Sequence, residues 1–308
     1  MIMAIAIVGG TMCTTATVNE KDRFTAVAAE ADEIIEPDEE GIVTKDGVKY
    51  EIYNGDTWVI GYTKDLKGDL VIPEKINGVP VTIIDDEVFA NCAEITSVTI
   101  PASILSIGEY AFKNCEKLTS VDIRSNCTGN GAFTFCPNIE KLTLSSEDND
   151  FEYALFHTNK LSAADYDADK YIYDEARSFL IPKSLKTVEI TEGTSIGTDE
   201  FKGMSSLETV ILPDSIESIG WSAFEGCTAL KSIDLPKNLT DIGNYAFSGC
   251  ESLEEIVLPD SLEEICEGAF NGCTSLKTID LPKKSENYWQ RSFCKLRRIN
   301  IRYYPCVS

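Results

Sequence analysis

Eight phenylalanines mark out the chain at Phe89, Phe112, Phe133, Phe201, Phe224, Phe247, Phe270 and Phe293, at intervals of 23, 21, 68, 23, 23, 23 and 23 residues. A period in this range is the mark of an array in which each unit is one supersecondary element that cannot bury its apolar face alone. The chain therefore folds by stacking, and its core runs along the array.

The best-preserved unit reads Leu230-x-x-Ile233-x-Leu235-Pro236-x-Asn238-Leu239-x-x-Ile242-Gly243-x-x-Ala246-Phe247-x-Gly249-Cys250. Leu230, Ile233 and Leu235 predict a short strand with its apolar side chains inside the coil. Pro101, Pro213, Pro236, Pro259 and Pro282 recur at its end, where a residue without an N–H cannot continue a ladder. A second extended piece carries Ile107, Ile196, Ile219, Ile242 and Ile265, each followed by Gly108, Gly197, Gly220, Gly243 or, exceptionally, Cys266. Glycine at that place implies either a positive φ or a close approach between coils. The phenylalanine then fills the coil interior, worth about 1.5–3 kcal/mol each.

Three residues after six of the phenylalanines stands a cysteine, at Cys92, Cys115, Cys136, Cys227, Cys250 and Cys273, with Met204 in the corresponding slot after Phe201. One rung per coil is thus filled by a small, soft, apolar residue. Eleven cysteines also raise the possibility of a disulfide framework, but strand spacing keeps rungs of neighbouring coils wider than a good disulfide allows. The chain contains no C-x-x-C, which removes the strongest zinc and thioredoxin signals.

This unit resembles the BspA-type leucine-rich repeat, over roughly residues 48–308. The commoner leucine-rich pattern is met only in part, because Asn238 holds its place while Leu239 comes one residue early. The resemblance implies a right-handed leucine-rich repeat solenoid, mostly β with short parallel strands and about 23 residues per coil. It also implies a bacterial surface or secreted protein that binds other proteins, with host matrix or plasma proteins, or other cells, as ligands.

The ends depart from the unit. Tyr50–Tyr62 alternates around Asn54-Gly55, a two-residue hairpin signal, which predicts an N-terminal cap over 48–72. Residues 283–308 form a degenerate C-terminal cap carrying Lys283, Lys284, Arg291, Lys295, Arg297, Arg298 and Arg302 against Glu286; Cys294 and Cys306 are candidates to pair there. Between Phe133 and Phe201 the interval of 68 exceeds one repeat by 45, and the tail Ile181-Pro182-Lys183-Ser184-Leu185-Lys186-Thr187-Val188 returns to the unit. Residues 146–180 are read as an insertion projecting from the solenoid. Asp165-x-Asp167-x-Asp169 within it is similar to the start of a calcium loop, but Lys170 and Ala176 occupy the places that need Gly and the bidentate Glu. It is read as a solvated acidic loop. His157, the only histidine, has no nucleophile motif beside it.

With 27 Lys and Arg against 51 Asp and Glu, the net charge is −24, which argues against a dedicated nucleic-acid binder. Residues 1–28 are similar to a signal peptide: Met1–Val18 is apolar and the first charge is Glu20. The basic n-region is missing, which places the true start upstream or the leader clipped, with cleavage after Ala16 or after Ala26-Val27-Ala28. An acidic linker follows over 29–47. No second apolar stretch reaches the ~18–20 residues of a membrane span, so the mature form is expected to have none. No catalytic residue, metal site or cofactor is expected.

The sequence predicts recognition on the outward positions of the strand face: Ser120 and Asp122, Thr209 and Ile211, Ser232 and Asp234, Glu255 and Val257, Thr278 and Asp280, and Arg298 and Asn300. These vary while the inward positions are fixed, as a recognition surface requires. The alternatives are a structural module of a larger surface assembly with no ligand of its own, or a carbohydrate-active enzyme working with paired carboxylates. The Asn126 and Asn238 sequons matter only in a host that glycosylates them.

Overall fold

A computed structural model describes residues 34–127, 129–145, 155–281 and 300–303. The chain divides into Met1–Glu33 and Ile34–Ser308, and all described residues belong to the second unit. The signal-peptide reading, Arg298, and the Cys294 and Cys306 pairing lie outside the described residues.

The array opens with an antiparallel meander, Ile42–Lys45, Val48–Tyr53 and Asp56–Tyr62. Its two tight turns carry Asp46-Gly47 at φ 50° and 83° and Asn54-Gly55 at φ 52° and 90°, the paired positive φ of hairpin turns matched to strand twist. Asp56–Tyr62 then pairs parallel with Val79–Ile84, joining the cap to the first coil. The linker expected over 29–47 is shorter at its C-terminal end, because Ile42–Lys45 is already a strand of the cap. Its neighbour Ile35 is also held: the Asn77 side-chain amide accepts the Ile35 N–H at 2.8 Å and donates to the Ile35 carbonyl at 2.8 Å.

Six coils pass first through a front strand. Gly68–Val71, Ile95–Ile100, Ser120–Ile123, Lys141–Ser145, Thr187–Glu192 and Thr209–Ile211 form one all-parallel sheet in that spatial order. Val98, Val121, Leu142, Val188 and Val210 share one inward register and are buried. Proline then starts a turn rather than merely ending the strand: the carbonyls of Pro101, Pro213, Pro236 and Pro259 accept the N–H three residues on at 3.1–3.2 Å. A second parallel ladder of two-residue strands follows, Ser195–Ile196, Ser218–Ile219, Asp241–Ile242 and Glu264–Ile265.

Of the two reasons for glycine after these isoleucines, the structure selects close approach. Gly220 and Gly243 donate their N–H to Ile196 and Ile219 of the coil before at 2.8 Å, and a Cβ on Gly243 would stand 2.8 Å from the backbone of Gly220. Positive φ falls two residues later, at Tyr110, Asp199, Ser222 and Tyr245, and again at Gly203, Gly226, Gly249 and Gly272 before the cysteine slot.

The phenylalanine turn carries the densest inter-coil bonding. The N–H groups of Phe89, Phe112, Phe201, Phe224 and Phe247 donate to the alanine carbonyl of the next coil at 2.7–2.8 Å. Their buried rings stack nearly parallel, at 4.9 and 5.0 Å between centroids from Phe89 to Phe133 and at 5.3, 5.2 and 5.5 Å from Phe201 to Phe270. Tyr62 of the cap stacks on Phe89 at 5.8 Å and closes that column. All eight described cysteines are free thiols. Those of Cys115, Cys136, Cys227, Cys250 and Cys273 donate to the phenylalanine carbonyl of the preceding coil at 3.1–3.3 Å. That carbonyl also accepts the cysteine N–H of its own coil at Phe89, Phe224 and Phe247, which uses both oxygen lone pairs.

The 146–180 insertion adds no strand to the front sheet, where Lys141 stands directly opposite Thr187. From Leu155 on it is bonded to the stack instead of projecting from it. Phe133 donates to the Leu155 carbonyl at 2.9 Å, the bond Phe112 makes to Ala132, and Thr134 Oγ1 donates to the His157 carbonyl at 2.7 Å. Tyr171–Asp174 pairs antiparallel with Phe179–Pro182, and Leu155, Phe156, Phe179, Leu180 and Ile181 are buried. Phe156 and Phe179 divide the long phenylalanine interval into steps of 23, 23 and 22. The acidic residues are spent locally: Asp165 accepts from the Ser162 N–H and hydroxyl at 2.6 and 2.7 Å, and Asp167 from the Asp169 N–H at 2.9 Å. His157 packs edge-on against Phe179 at 6.3 Å.

Two outcomes follow from this packing. Phe247→Ala removes a ring stacked on both sides and is expected to cost about 3–5 kcal/mol in urea unfolding, with Phe247→Leu costing less. Burial pushes the Cys227 and Cys273 thiols up to about 12, against about 8.5 in the unfolded chain. Their contribution to stability is full below the unfolded value and is lost as pH rises through the folded one. The thermal midpoint is expected to fall between about pH 9 and 12, with a shallower slope in the Cys227→Ala, Cys273→Ala variant.

Candidate functional site

The period of two along a strand sends alternate residues of the front sheet outward, and the parallel register lines them up across coils. One column runs Asp69, Ser97, Ser120, Lys141, Thr187 and Thr209; the other runs Val71, Thr99, Asp122, Thr143, Glu189 and Ile211. Ser232 and Asp234, then Glu255 and Val257, continue the series by their spacing and are exposed beside the buried Ile233 and Ile256. The Glu254 N–H reaches the Lys231 carbonyl at 3.0 Å there, although the two stretches form no continuous strand ladder. Thr278 and Asp280 are exposed on the last described coil.

At the C-terminal end the register differs from the sequence reading. Thr278 faces Asn300, and Asp280 faces Arg302. Asn300 therefore belongs to the first column and Arg302 to the second, two positions on from the Arg298 and Asn300 pairing taken from the sequence. The offset arises because Leu296-x-x-Ile299-x-Ile301 matches the repeat pattern in sequence with Ile299 in the place of Ile279, whereas the structure sets Ile301 opposite Ile279. Sequence reading also passed over Asp69, Ser97, Lys141, Thr143, Thr187 and Glu189, although their alternation with buried residues matches that of the residues it chose.

Ionic groups on this face are paired, within a coil at Asp122 and between coils at Lys141 and Lys186. Lys141 pairs with Glu189 at 2.7 Å, Arg124 with Asp122 at 2.9 Å, and Lys186 with Glu208 at 2.9 Å. Asp69 accepts from Ser97 and Thr96 at 2.7 and 3.1 Å, and these hydrogen bonds hold its carboxyl below the usual carboxylate range. Asp234 and Glu255 have no ion pair among the described residues. Down the second column Ile211, Asp234, Val257 and Asp280 alternate apolar and acidic, and Val257 is 80% exposed. No group of three His, Cys, Asp or Glu among the described residues is arranged to hold a metal ion, and none of their helices is long and apolar enough to cross a membrane.

The model of the BspA type leucine rich repeat region matches this chain in six copies over residues 71–179 and 194–305. The chain belongs to the BspA-type leucine-rich repeat family. The matched range runs through Phe156 and ends at Phe179, the two phenylalanines that the structure bonds onto the stack. Among solved structures, this BspA-type chain is similar to a leucine-rich repeat protein from Bacteroides ovatus, at 22% identity and a TM-score of 0.37, over 85% of this chain and 99% of that one. It is similar to a leucine rich cell surface protein from Faecalibacterium prausnitzii at 20% identity and a TM-score of 0.36, over 87% and 95%. The pneumococcal vaccine antigen PcpA is similar at 18% identity and a TM-score of 0.34, over 88% and 94%. No curated protein matches the chain.

Because the outward residues sit on a scaffold that does not depend on them, replacing Ser232, Asp234 and Thr278 by alanine together is expected to shift unfolding free energy by about 0.5 kcal/mol or less per site. Chemical denaturation of the triple variant checks this.

Proposed function

We propose that this repeat protein is a secreted or cell-surface interaction module that binds a protein partner through the outward columns of its front sheet. The observation that carries the reading is the pairing of invariant inward rungs with varied outward ones. Val98, Val121, Leu142, Val188 and Val210 fill one buried register, while neighbouring outward places hold Thr, Asp, Lys, Glu and Ile. The stripe of Ile211, Asp234, Val257 and Asp280 suits a partner segment that offers apolar and basic groups in turn, since charge complementarity fixes register and speeds encounter. Host matrix proteins, plasma proteins and the surfaces of other cells are the partners proposed. Adhesion is the role they define, and the apolar start of the chain agrees with export. The reading assigns no catalytic residue and no cofactor.

The test is binding of the full chain to immobilised fibronectin, fibrinogen and whole bacterial cells at physiological salt. Beside it stand two variants. One carries Ile211→Ser, Asp234→Lys, Val257→Ser and Asp280→Lys; the other replaces residues 162–169 by a glycine–serine segment of equal length. The second is confined to exposed insertion residues because Leu155, Phe156 and Phe179–Ile181 are core. Saturable binding that weakens at least tenfold in the first variant and stays unchanged in the second is expected. Loss in the second alone would move recognition to the insertion, and no binding to any surface would favour a structural module without a ligand.

A further inference from the structure

A different edge of the solenoid carries a cleft, formed where the chain turns from the second strand into the phenylalanine. In that turn Tyr110 and Tyr245 hold positive φ, and each ring leans over a glycine of the next coil: a Cβ on Gly131 would stand 2.5 Å from the Tyr110 ring, and one on Gly268 2.4 Å from the Tyr245 ring. Ser222 occupies the same place one coil before Tyr245, is buried, and has no ring to lean onward. A cleft of about 360 Å³ opens there between Asp199, Lys202, Trp221, Ser222, Glu225 and Tyr245. That volume lies at the lower end of small-molecule sites, ~300–1,000 Å³. Trp221 forms a shelf on its rim and is 55% exposed, an unusual place for so large an apolar group. The Lys202 ammonium is fixed between two coils, 3.2 Å from Asp199 and 3.0 Å from Glu225.

The chemistry of these groups selects the occupant. Asp199 and Glu225 leave a net charge of −1 around Lys202, so an added anion is repelled, while an added cation meets an ammonium already held between both carboxylates. A wholly apolar group would strand the three ions from water. A neutral polyhydroxylated ring meets every demand: its hydroxyls donate to the carboxylates and accept from the ammonium, and its C–H face lies on the indole. Fixed donors and acceptors beside an aromatic plane are preorganised for it.

We propose that this cleft is a glycan-binding site that takes one pyranose ring on Trp221, with its hydroxyls hydrogen-bonded to Asp199, Lys202 and Glu225. The site lies outside the front-sheet columns and works by binding alone.

The test is the full chain on a printed array of gluco-, galacto- and mannopyranose-terminated oligosaccharides, followed by fluorescence titration of the strongest. Saturable binding is expected, at least tenfold weaker in Trp221→Ala and within threefold of the parent in Trp221→Phe. It is expected to weaken in Glu225→Gln, a change that keeps side-chain size, and to stay unchanged in Trp58→Ala and in the front-sheet variant. The exposed indole predicts an unchanged thermal midpoint in Trp221→Ala. Absence of binding to every array sugar would overturn the proposal, as would binding indifferent to both Trp221→Ala and Glu225→Gln. An arginine-rich peptide that occupies the cleft while sugars do not would also overturn it. The front-sheet variant separates the two readings, since failure of either site leaves the other measurable.

Discussion

Hydrogen bonding from one coil's backbone to the next sets the vertical spacing on which everything else rests. After the second strand, at Gly108, Gly220, Gly243 and Cys266, and at the N–H of Phe89, Phe112, Phe201, Phe224 and Phe247, main chain meets main chain at 2.7–2.8 Å. Stacked strands at about 4.7–4.9 Å then hold the rings at 4.9–5.5 Å, close enough for face-to-face packing. The residue choices follow from that distance. Glycine is favoured where a Cβ would crowd the coil before, with Cys266 the exception, phenylalanine where a flat ring can stack on its copy, and cysteine where a small donor must reach a carbonyl above it. A thiol is suited to the last place because it fills apolar space and still satisfies the phenylalanine oxygen.

Periodicity made the inside of the molecule readable. The phenylalanine and cysteine rungs, the inward leucines and valines, and the Asn54-Gly55 hairpin all occupy the places their spacing implies, because each is dictated by local geometry repeated many times. The insertion was harder to read, since Asn159 and Pro182 stand three residues after Phe156 and Phe179, where every other described phenylalanine turn has cysteine or, after Phe201, methionine. Only the bonds from Phe133 to Leu155 and from Leu180 to Phe156 reveal them as part of the stack. The start of the cap was hidden for a related reason: the acidic composition of 29–47 reads as a linker, while the contact that orders Ile35 comes from Asn77, 42 residues away.

The two candidate surfaces differ in how far a sequence can disclose them. Outward columns follow from the same period that defines the core, so ten places were legible from it, whereas others from Asp69 to Glu189 were passed over and Asn300 and Arg302 were misplaced where the period shortens. The Trp221 cleft depends on what is missing. A serine where two other coils carry a tyrosine ring is unremarkable in a sequence, and it becomes a cavity only when Tyr245 is seen leaning over Gly268 rather than back across Ser222.

Asn77 precedes Gly78 in a turn at φ 50° and 80°, the dipeptide in which the following amide nitrogen most readily attacks the side-chain carbonyl carbon and expels ammonia, giving a succinimide that water opens to aspartate or isoaspartate. Attack needs the asparagine side chain to swing toward that nitrogen, and Ile35 holds both of its polar atoms elsewhere. Asn54-Gly55 has the same chemistry in an exposed hairpin turn. Chemical ageing is thus directed to the exposed tip of the cap and away from the clasp between Asn77 and Ile35.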